Sequence, residues 1–373
     1  MATAKTQKAL LLPARAGKYA VGTVPIPTPA PSEVLVKIEA AALNPIDWKI
    51  VDSDLFTPII QSFPYIAGTD GAGVVAEVGA EVTTLAKGDR IVFQGWFANP
   101  WATFQEYCVV PAVFAAKLPE NISFDEAATV PLGLVTVWSA IYNTDPAAAG
   151  KSLLLPPPWE PDGTTLAGKP AFIIGGSSSV GQYAIQVAKL AGCTPIIATA
   201  SPRNAPLLTA LGATHVLDRA LPAPALLAAL PRLTAGAPVA LAYDAVSLPD
   251  TQPLAYAALG RAGRLVVVLH DRVPAALKEE DAAAAAAAAE AAGGARARKT
   301  IAHAFRNVHE PANRACGAAL FAHLGEWLAK GVVKPNKVEV LPGGLAGIPE
   351  GLARMEADKV SATKLVCHPS ETP

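Results

Sequence analysis

The stretch Ala171–Gly192, AFIIGGSSSVGQYAIQVAKLAG, decides how this chain is read. It opens on a short apolar run, Ala171–Ile174, whose length and β-branched content suit a buried parallel strand. Gly175 and Gly176 end the run, three serines follow, and Val180-Gly181 leads into Gln182–Leu190. There Ala184, Ile185, Val187, Ala188 and Leu190 recur at helical spacing. Strand, glycine turn and helix open a βαβ unit of the kind that binds dinucleotides. Glycines let the backbone approach a pyrophosphate, and the first N–H groups of the helix face the anion. The spacing G-G-S-S-S-V-G departs from the usual G-x-G-x-x-G, so a plain strand–turn–helix of a doubly wound sheet is the competing reading.

The next strand, Thr194–Thr199, favours the nucleotide. It runs into Ala200–Asn204, ASPRN. A cofactor with a free ribose 2′-OH usually meets a carboxylate there, about twenty residues past the glycines. Ser201 and Arg203 stand in its place, and a hydroxyl with a guanidinium suits a 2′-phosphate. The expected cofactor is therefore NADPH rather than NADH. Its expected contacts here are Gly175, Gly176, Ser177, Ser178, Val180, Gly181, Ser201, Arg203 and Asn204.

The 373 residues, 51% of them apolar, exceed one ordinary core and imply about two domains. A net charge of −1 without a basic stripe argues against a nucleic-acid partner. Cys108, Cys193, Cys316 and Cys367 are scattered with no C-x-x-C pair, which points to a reduced intracellular protein without a structural zinc. No apolar run approaches the roughly 18 residues of a membrane span. The leading MATAKTQKALLLPA has lysines and a leucine run, but its apolar part is too short for a secretory signal. Lys8–Leu12 reads as a first strand, and the expected compartment is the cytoplasm.

Residues 8–120 read as short strands between Gly/Pro turns, including a half-buried, alternating Glu33–Glu39, then Gly73–Gly79, Asp89–Phe93 and Phe104–Val110. This predicts a mostly antiparallel barrel. Ser123–Glu126 is a capping box, followed by an Ala-rich helix and a second helix through Leu134–Tyr142. The prolines of Leu153–Pro170 exclude helix and central strand and predict an extended surface loop. Beyond the glycine unit a helix at Pro206–Leu211 and strands at His215–Leu217, Val239–Tyr243, Leu265–Leu269 and Lys299–Phe305 predict a parallel sheet with helices on both faces. The alanine run in Asp281–Gly294 predicts a surface helix stopped by glycine. Helices at Leu320–Ala329 and Ile348–Asp358, and strands at Val338–Leu341 and Lys364–Cys367, complete the chain, the last returning to the first domain.

Barrel, nucleotide fold and return strand in this order resemble the medium-chain dehydrogenase/reductase superfamily. The residues that carry the resemblance are Ala42–Lys49 (ALNPIDWK), Gly68–Gly79 (GTDGAGVVAEVG), Lys87–Val92 (KGDRIV), Val180-Gly181 with Gln186–Ala188, and Ala210–Ala213 (ALGA). The resemblance implies an α/β protein with a GroES-like β-barrel catalytic domain and a Rossmann doubly wound parallel-sheet cofactor domain. Its expected boundaries are 1–133 and 307–373 for the catalytic domain and 134–306 for the NADP-binding domain. Zinc alcohol dehydrogenases carry Cys where this chain has Asn44, and Gly-His-Glu where it has Gly68-Thr69-Asp70. No metal site is expected, since a catalytic zinc needs Cys, His or carboxylate ligands. The chain is thus similar to the zinc-free quinone- and enoyl-reductase branch. Asn44–Lys49, the Pro-rich loop and Ser201–Asn204 are most similar to fungal trans-acting enoyl reductases, which reduce α,β-unsaturated thioesters during polyketide assembly.

That likeness implies NADPH-dependent reduction of an enoyl thioester or enone without metal. The acyl group would arrive free or on a carrier, with a polyketide synthase as partner, and the protein would be a monomer or homodimer. A quinone reductase of the same fold and a non-catalytic NADPH-binding scaffold are the alternatives. Lys49 of the family's N-P-x-D-x-K motif is the expected donor toward the carbonyl or the α carbon, with Asn44 and Asp47 beside it. The competing reading is a surface lysine paired with Asp47 or Asp52. Some relatives use a nearby tyrosine as acid, but Asp54–Thr57 has none, Tyr65 reads as barrel packing, and water is left as a proton source. Thr136 matches a threonine near the nicotinamide or else packs a helix. Arg219 stands where tyrosine often flanks the adenosine and is either a second cation for the 2′-phosphate or a solvated charge. Val246, Leu269 and His270 follow the next strands toward the cofactor, His270 also reading as an ordinary strand-end residue. Trp96, Phe97 and Trp101 line a substrate cleft or pack the barrel edge.

Overall fold

The computed structural model describes residues 5–51, 56–292, 298–304 and 307–373. Asp52, Asp54, Leu55, Gly293, Gly294 and Phe305, which entered the sequence reading, lie outside the described residues. The chain divides into two units. One is Met1–Gly133 with Asn307–Glu310 and Gly317–Pro373, and the other is Leu134–Arg306 with Pro311–Cys316. Residues 311–316 thus group with the second unit rather than with the return segment.

In chain order the first strands are β1 (Thr6–Leu12), β2 (Ala20–Pro25), β3 (Glu33–Ala42), β4 (Tyr65–Ile66), β5 (Asp70–Val78), β6 (Arg90–Gln94), β7 (Tyr107–Pro111) and β8 (Ala115–Lys117). Helix α1 (Pro45–Lys49) follows β3, and α2 (Phe124–Ala128) and α3 (Pro131–Tyr142) follow β8. The next elements are β9 (Ala171–Ile174), α4 (Ser179–Leu190), β10 (Ile196–Ala200), α5 (Ala205–Leu211), β11 (His215–Asp218), α6 (Ala223–Leu233), β12 (Val239–Asp244), α7 (Thr251–Ala258), β13 (Leu259–Val267), α8 (Ala275–Ala292) and β14 (Thr300–His303). Helix α9 (Arg314–Ala329), β15 (Lys337–Val340), α10 (Ile348–Glu356) and β16 (Thr363–Cys367) end the chain.

In the first unit a small antiparallel sheet, β2-β1-β4, meets a larger one ordered β15-β16-β3-β5-β6-β8, with β7 also on β3. A bridge between Ala9 and Gln105 joins them. Strand β3 does not alternate as expected: nearly all of it is buried, and Lys37, paired with Glu39, is its exposed residue. The reason is its place. It takes β5 along one edge and β7 then β16 along the other, while α2 packs on it. Glu33, buried at its start, accepts the Trp101 indole N–H at 2.7 Å and caps Ala30 N at 3.0 Å. Val34, Val36, Ile38, Phe93, Phe104 and Leu365 lie in one apolar core, into which Tyr65 also packs.

The second unit is a six-stranded parallel sheet in the order β11-β10-β9-β12-β13-β14. The order reverses between β9 and β12, which leaves a crevice beyond the carboxyl ends of these strands. Phe172, Ile174, Ile197, Ala242, Leu265 and Val267 build its core. Helix α6 is absent from the sequence reading because Pro224 and Pro231 disguise it. One sits in the first turn, where no N–H is needed, and the other near the end. The alanine helix α8 begins earlier than the run, at Ala275, and Asp281 on it pairs with Lys299 at 2.7 Å. The Pro-rich segment holds neither helix nor strand between Leu153 and Pro170, and Trp159 stacks on Trp138 at 5.1 Å. No helix among the described residues is long and apolar enough to cross a membrane.

Candidate functional site

The glycine turn is held from two sides. Gly175 takes φ +73, a conformation that favours glycine, and its N–H donates to Thr199 Oγ1 at 3.2 Å. The Gly176 N–H donates to the Thr199 carbonyl at 2.9 Å, so the turn is lashed to β10. Ser178 caps α4: its hydroxyl donates to the Gly175 carbonyl at 2.9 Å and accepts the Gly181 N–H at 3.0 Å. A Cβ on Gly181 would lie 2.1 Å from the Gly175 carbonyl, and one on Gly175 would lie 2.5 Å from Val246 Cγ2. The glycines are therefore dictated by close backbone approach, and Val246 lies directly against the turn. The Ser178 side chain builds the turn, and the Ser177 carbonyl accepts from Gln182 Nε2 at 3.1 Å. With Ser179 and Val180 opening α4, first-turn N–H groups are the natural partners of an anion here.

Around this turn the strand ends collect the other expected residues. Ser201 begins a short 3-10 turn, Pro202–Asn204, on which Arg203 is exposed. The Arg219 N–H donates to the Ala200 carbonyl at 3.0 Å, which sets its exposed side chain on the strand end neighbouring Ser201. Sequence reasoning missed Asp218, which pairs in register with Ala200 and accepts from the Ala220 N–H at 2.9 Å. At the end of β12 burial raises the pKa of Asp244, while bonds from Ser247 N, Thr251 Oγ1 and Val246 N hold the carboxylate in place. The Tyr243 hydroxyl donates to the carbonyl of buried Thr136 at 3.3 Å, tying α3 to β12. Leu269 and His270 follow β13, and the His270 carbonyl accepts from Gln252 Nε2 at 2.8 Å.

The first unit holds a second cluster, of charge. Asn44 caps α1, and its Nδ2 donates to Asp70 Oδ2 at 2.9 Å. Lys364 from β16 donates to Asn44 Oδ1 at 2.7 Å and to Asp70 Oδ2 at 2.9 Å. Asp70 Oδ1 accepts the Leu132 N–H at 2.6 Å. Asp47, only 2% exposed, turns inward, and its carboxylate accepts the Asn44 N–H at 2.7 Å. Burial pushes its pKa up to about 7, with Asn44 N lowering it, Asp70 raising it and Lys364 lowering it. Lys49 ends the same helix half-buried, its ammonium 5.3 Å from the centre of the Trp48 ring. Neither Asp70 nor Lys364 belongs to the expected set. Asp70 is visible in the quoted motif, but Lys364 is 320 residues from Asn44 and no local pattern announces it.

Nearby in this unit Thr69 Oγ1 and Thr103 Oγ1 are buried with no hydrogen-bond partner among the described residues. Such orphans are rare and call for an explanation. The expected aromatic trio divides. Trp96 meets Phe97 at 5.6 Å and His309 at 5.2 Å, and His309 meets Phe114 at 4.9 Å. Trp101 is held instead by Glu33.

Residues 30–120 match the family described as alcohol dehydrogenase GroES-like domain, and residues 179–289 the family described as zinc-binding dehydrogenase. A trans-enoyl reductase of Pyricularia oryzae is 33% identical over 353 residues, spanning 92% of this chain and 92% of that protein. Another, of Penicillium crustosum, is 30% identical and spans 96% of each. The chain belongs to the medium-chain dehydrogenase/reductase superfamily. This medium-chain reductase shares its fold with an alcohol dehydrogenase superfamily protein of Novosphingobium aromaticivorans, at TM-score 0.74, 23% identity, 96% of this chain and 98% of that one. A quinone oxidoreductase of Pseudomonas syringae gives TM-score 0.71 at 23% identity over 96% and 99%. The family makes the protein an oxidoreductase with a nicotinamide cofactor, and the glycine turn fits one, since it leads into the first-turn N–H groups of α4.

A catalytic zinc fits this medium-chain reductase poorly. In place of thiolate and imidazole the chain offers the Asn44 amide and the Thr69 hydroxyl, weak ligands for zinc. The Asn44 oxygen already accepts from the Lys364 ammonium.

Proposed function

We propose that this protein is an NADPH-dependent reductase of activated C=C bonds, in enoyl thioesters or enones, that works without a metal. The observation that carries the cofactor choice is the end of β10, where Ser201 and Arg203 replace a ribose-binding carboxylate and Arg219 follows the adjoining strand end. A guanidinium holds a 2′-phosphate by paired, charge-assisted hydrogen bonds. Asp218 stands at the same edge half-buried, its Oδ1 accepting the Ala220 N–H, while Arg203 and Arg219 are exposed.

Reduced NADPH, when bound, supplies the hydride. The protein's own part is to hold pyrophosphate at the turn Gly175–Gly181, with Thr136, Val246, Leu269 and His270 bordering the cofactor, and to meet the charge that develops on the substrate oxygen. Lys49 is the donor for that oxygen: preorganised donors at a developing oxyanion are often the largest protein contribution to rate. Asn44 and Asp47 fix the turn from which Lys49 projects. Water is the second candidate for the proton at the α carbon. Substrate class rests on the likeness to the trans-enoyl reductases, which also suggests an acyl group delivered by a polyketide synthase carrier domain, in the cytoplasm. In this reading residues 1–133 and 307–373 carry the chemistry and 134–306 the cofactor.

The test is NADPH and NADH oxidation by the purified protein against enoyl thioesters, simple enones and quinones. Preference for thioesters or enones with NADPH supports the proposal. Turnover of quinones alone makes it a quinone reductase, and tight NADPH binding with no turnover makes it a non-catalytic binding protein.

A further inference from the structure

We propose that Lys364 and Asp70 are positioning residues for the turn carrying Lys49: together they set the charge of Asp47, and that charge fixes α1. The inference rests on the reductase reading only in giving Lys49 its task. The coupling between the buried groups is a property of this unit alone.

Three ionisable groups are buried together, Asp47 at 2%, Asp70 at 0% and Lys364 at 4% exposure. One ammonium cannot neutralise two carboxylates, and buried charge without a partner is costly. The geometry divides the burden. Lys364 bonds Asp70 and Asn44 directly, and Asp70 has further donors in Asn44 Nδ2 and Leu132 N. Among the described residues the donors to Asp47 are backbone groups, Asn44 N at 2.7 Å and Gly68 N. Asp47 is therefore the group that holds or releases the proton, and burial places that event at about 7.

The remaining groups facing Asp47 leave this balance in place. The Tyr19 hydroxyl donates to the Asp47 carbonyl at 3.3 Å, and Tyr65 is buried nearby. Burial holds both phenols far above the usual tyrosine range, so they stay neutral. Helix α10, packed on α1, contributes an exposed Glu350 and an Arg354 that pairs with Glu339 at 2.5 Å.

The consequence runs through the cap. An ionised Asp47 accepts from two N–H groups and closes the first turn of a helix only five residues long, whose last residue is Lys49. A protonated carboxyl must also donate its own hydrogen and holds the turn less firmly. Removing Lys364 raises the pH at which α1 tightens, and neutralising Asp70 lowers it. The opposite signs are what a purely structural role would not produce.

Trp48, in α1 beside Asp47, is the reporter. The pH dependence of fluorescence is measured for the full-length protein and for Asp47→Asn, Lys364→Met, Lys364→Arg and Asp70→Asn, each paired with Trp48→Phe to isolate the Trp48 signal. The expected result is a transition near neutrality that vanishes in Asp47→Asn. It shifts up by about one pH unit or more in Lys364→Met and down in Asp70→Asn, and Lys364→Arg restores it. With an enone substrate, kcat follows the same midpoints while KM stays nearly level. Lys364→Met leaves Asp70 buried without its counter-ion; if it does not fold, the isosteric Asp70→Asn decides alone. Midpoints that stay together, or move the same way, overturn the inference. Shifted Trp48 midpoints without any turnover leave it standing and remove the reductase reading instead.

Discussion

Gly181→Ala probes the link between local backbone geometry and cofactor binding. Gly181 lies in the first turn of α4, and by propensity alone alanine would stabilise a helix by up to about 1 kcal/mol. The structure reverses that sign. The added Cβ sits 2.1 Å from the Gly175 carbonyl and 2.8 Å from Gly176 Cα, both backbone atoms that cannot rotate away. The turn must open by about 0.9 Å to bring the shorter contact to 3.0 Å. Overpacking of this kind costs roughly 1–3 kcal/mol, or a fall in Tm of roughly 3–10 °C for a domain of this size. It also moves the helix N–H groups relative to the Gly175 turn. Losing one charge-assisted hydrogen bond to the pyrophosphate weakens NADPH binding about tenfold or more. Thermal unfolding and NADPH titration by fluorescence read the two effects. Gly236→Ala is the control: its φ of +81 makes alanine strained, by about 1–2 kcal/mol, but it stands in open space. The control should lose stability and keep its NADPH affinity. A Gly181→Ala protein with raised Tm and unchanged affinity would refute the reasoning.

Arg203→Ala should weaken NADPH binding by roughly 1–3 kcal/mol and leave NADH nearly unchanged, because a charged hydrogen bond to the 2′-phosphate goes. Equal losses in parallel titrations remove that assignment. Lys49→Ala should lower kcat for an enone more than it raises KM, as expected for a group acting on the transition state; an unchanged kcat returns Lys49 to a surface role. His368 gives a pH dependence of stability. Burial lowers its pKa, but bonds to Glu371 at 2.9 Å and Asp125 at 2.7 Å outweigh burial and raise it. The stabilisation is thus complete below the unfolded histidine value of about 6.5 and is lost as pH rises through the raised folded value. Tm of wild type minus His368→Gln should shrink between pH 6 and pH 8.5, and a difference that grows over that range contradicts the pairing.

What could be read from the sequence was what local chemistry determines. The turn Gly175–Gly181 announces itself because close backbone approach admits only glycine, and Ser123–Glu126 because a capping box is a four-residue event, seen here as Ser123 accepting from Glu126 N at 3.2 Å. Asn44 and Asp47 could be picked out as motif residues, but their surroundings could not. Asp47 is buried by packing, which raises its pKa, and Lys364, which opposes that rise, is brought in by a strand from the far end of the chain. The same limit explains β3, whose alternating pattern reads as half-buried although neighbours cover both faces. Strand β13 starts at Leu259, earlier than expected, because LGRAGR has no apolar pattern: Leu259 pairs with Val239 of β12, and regular pairing resumes only at Arg264. Trp101 is drawn from its neighbours by Glu33, a partner 68 residues away.

The most direct test of the central claim is the fate of the hydride. NADPH deuterated at C4 of the reduced nicotinamide is turned over with an α,β-unsaturated thioester, and the product is examined by NMR. Deuterium at the β carbon of a saturated thioester is the predicted result. Deuterium on the former carbonyl carbon, in an aldehyde formed with release of the thiol and with the double bond intact, would contradict it and make this protein a carbonyl reductase.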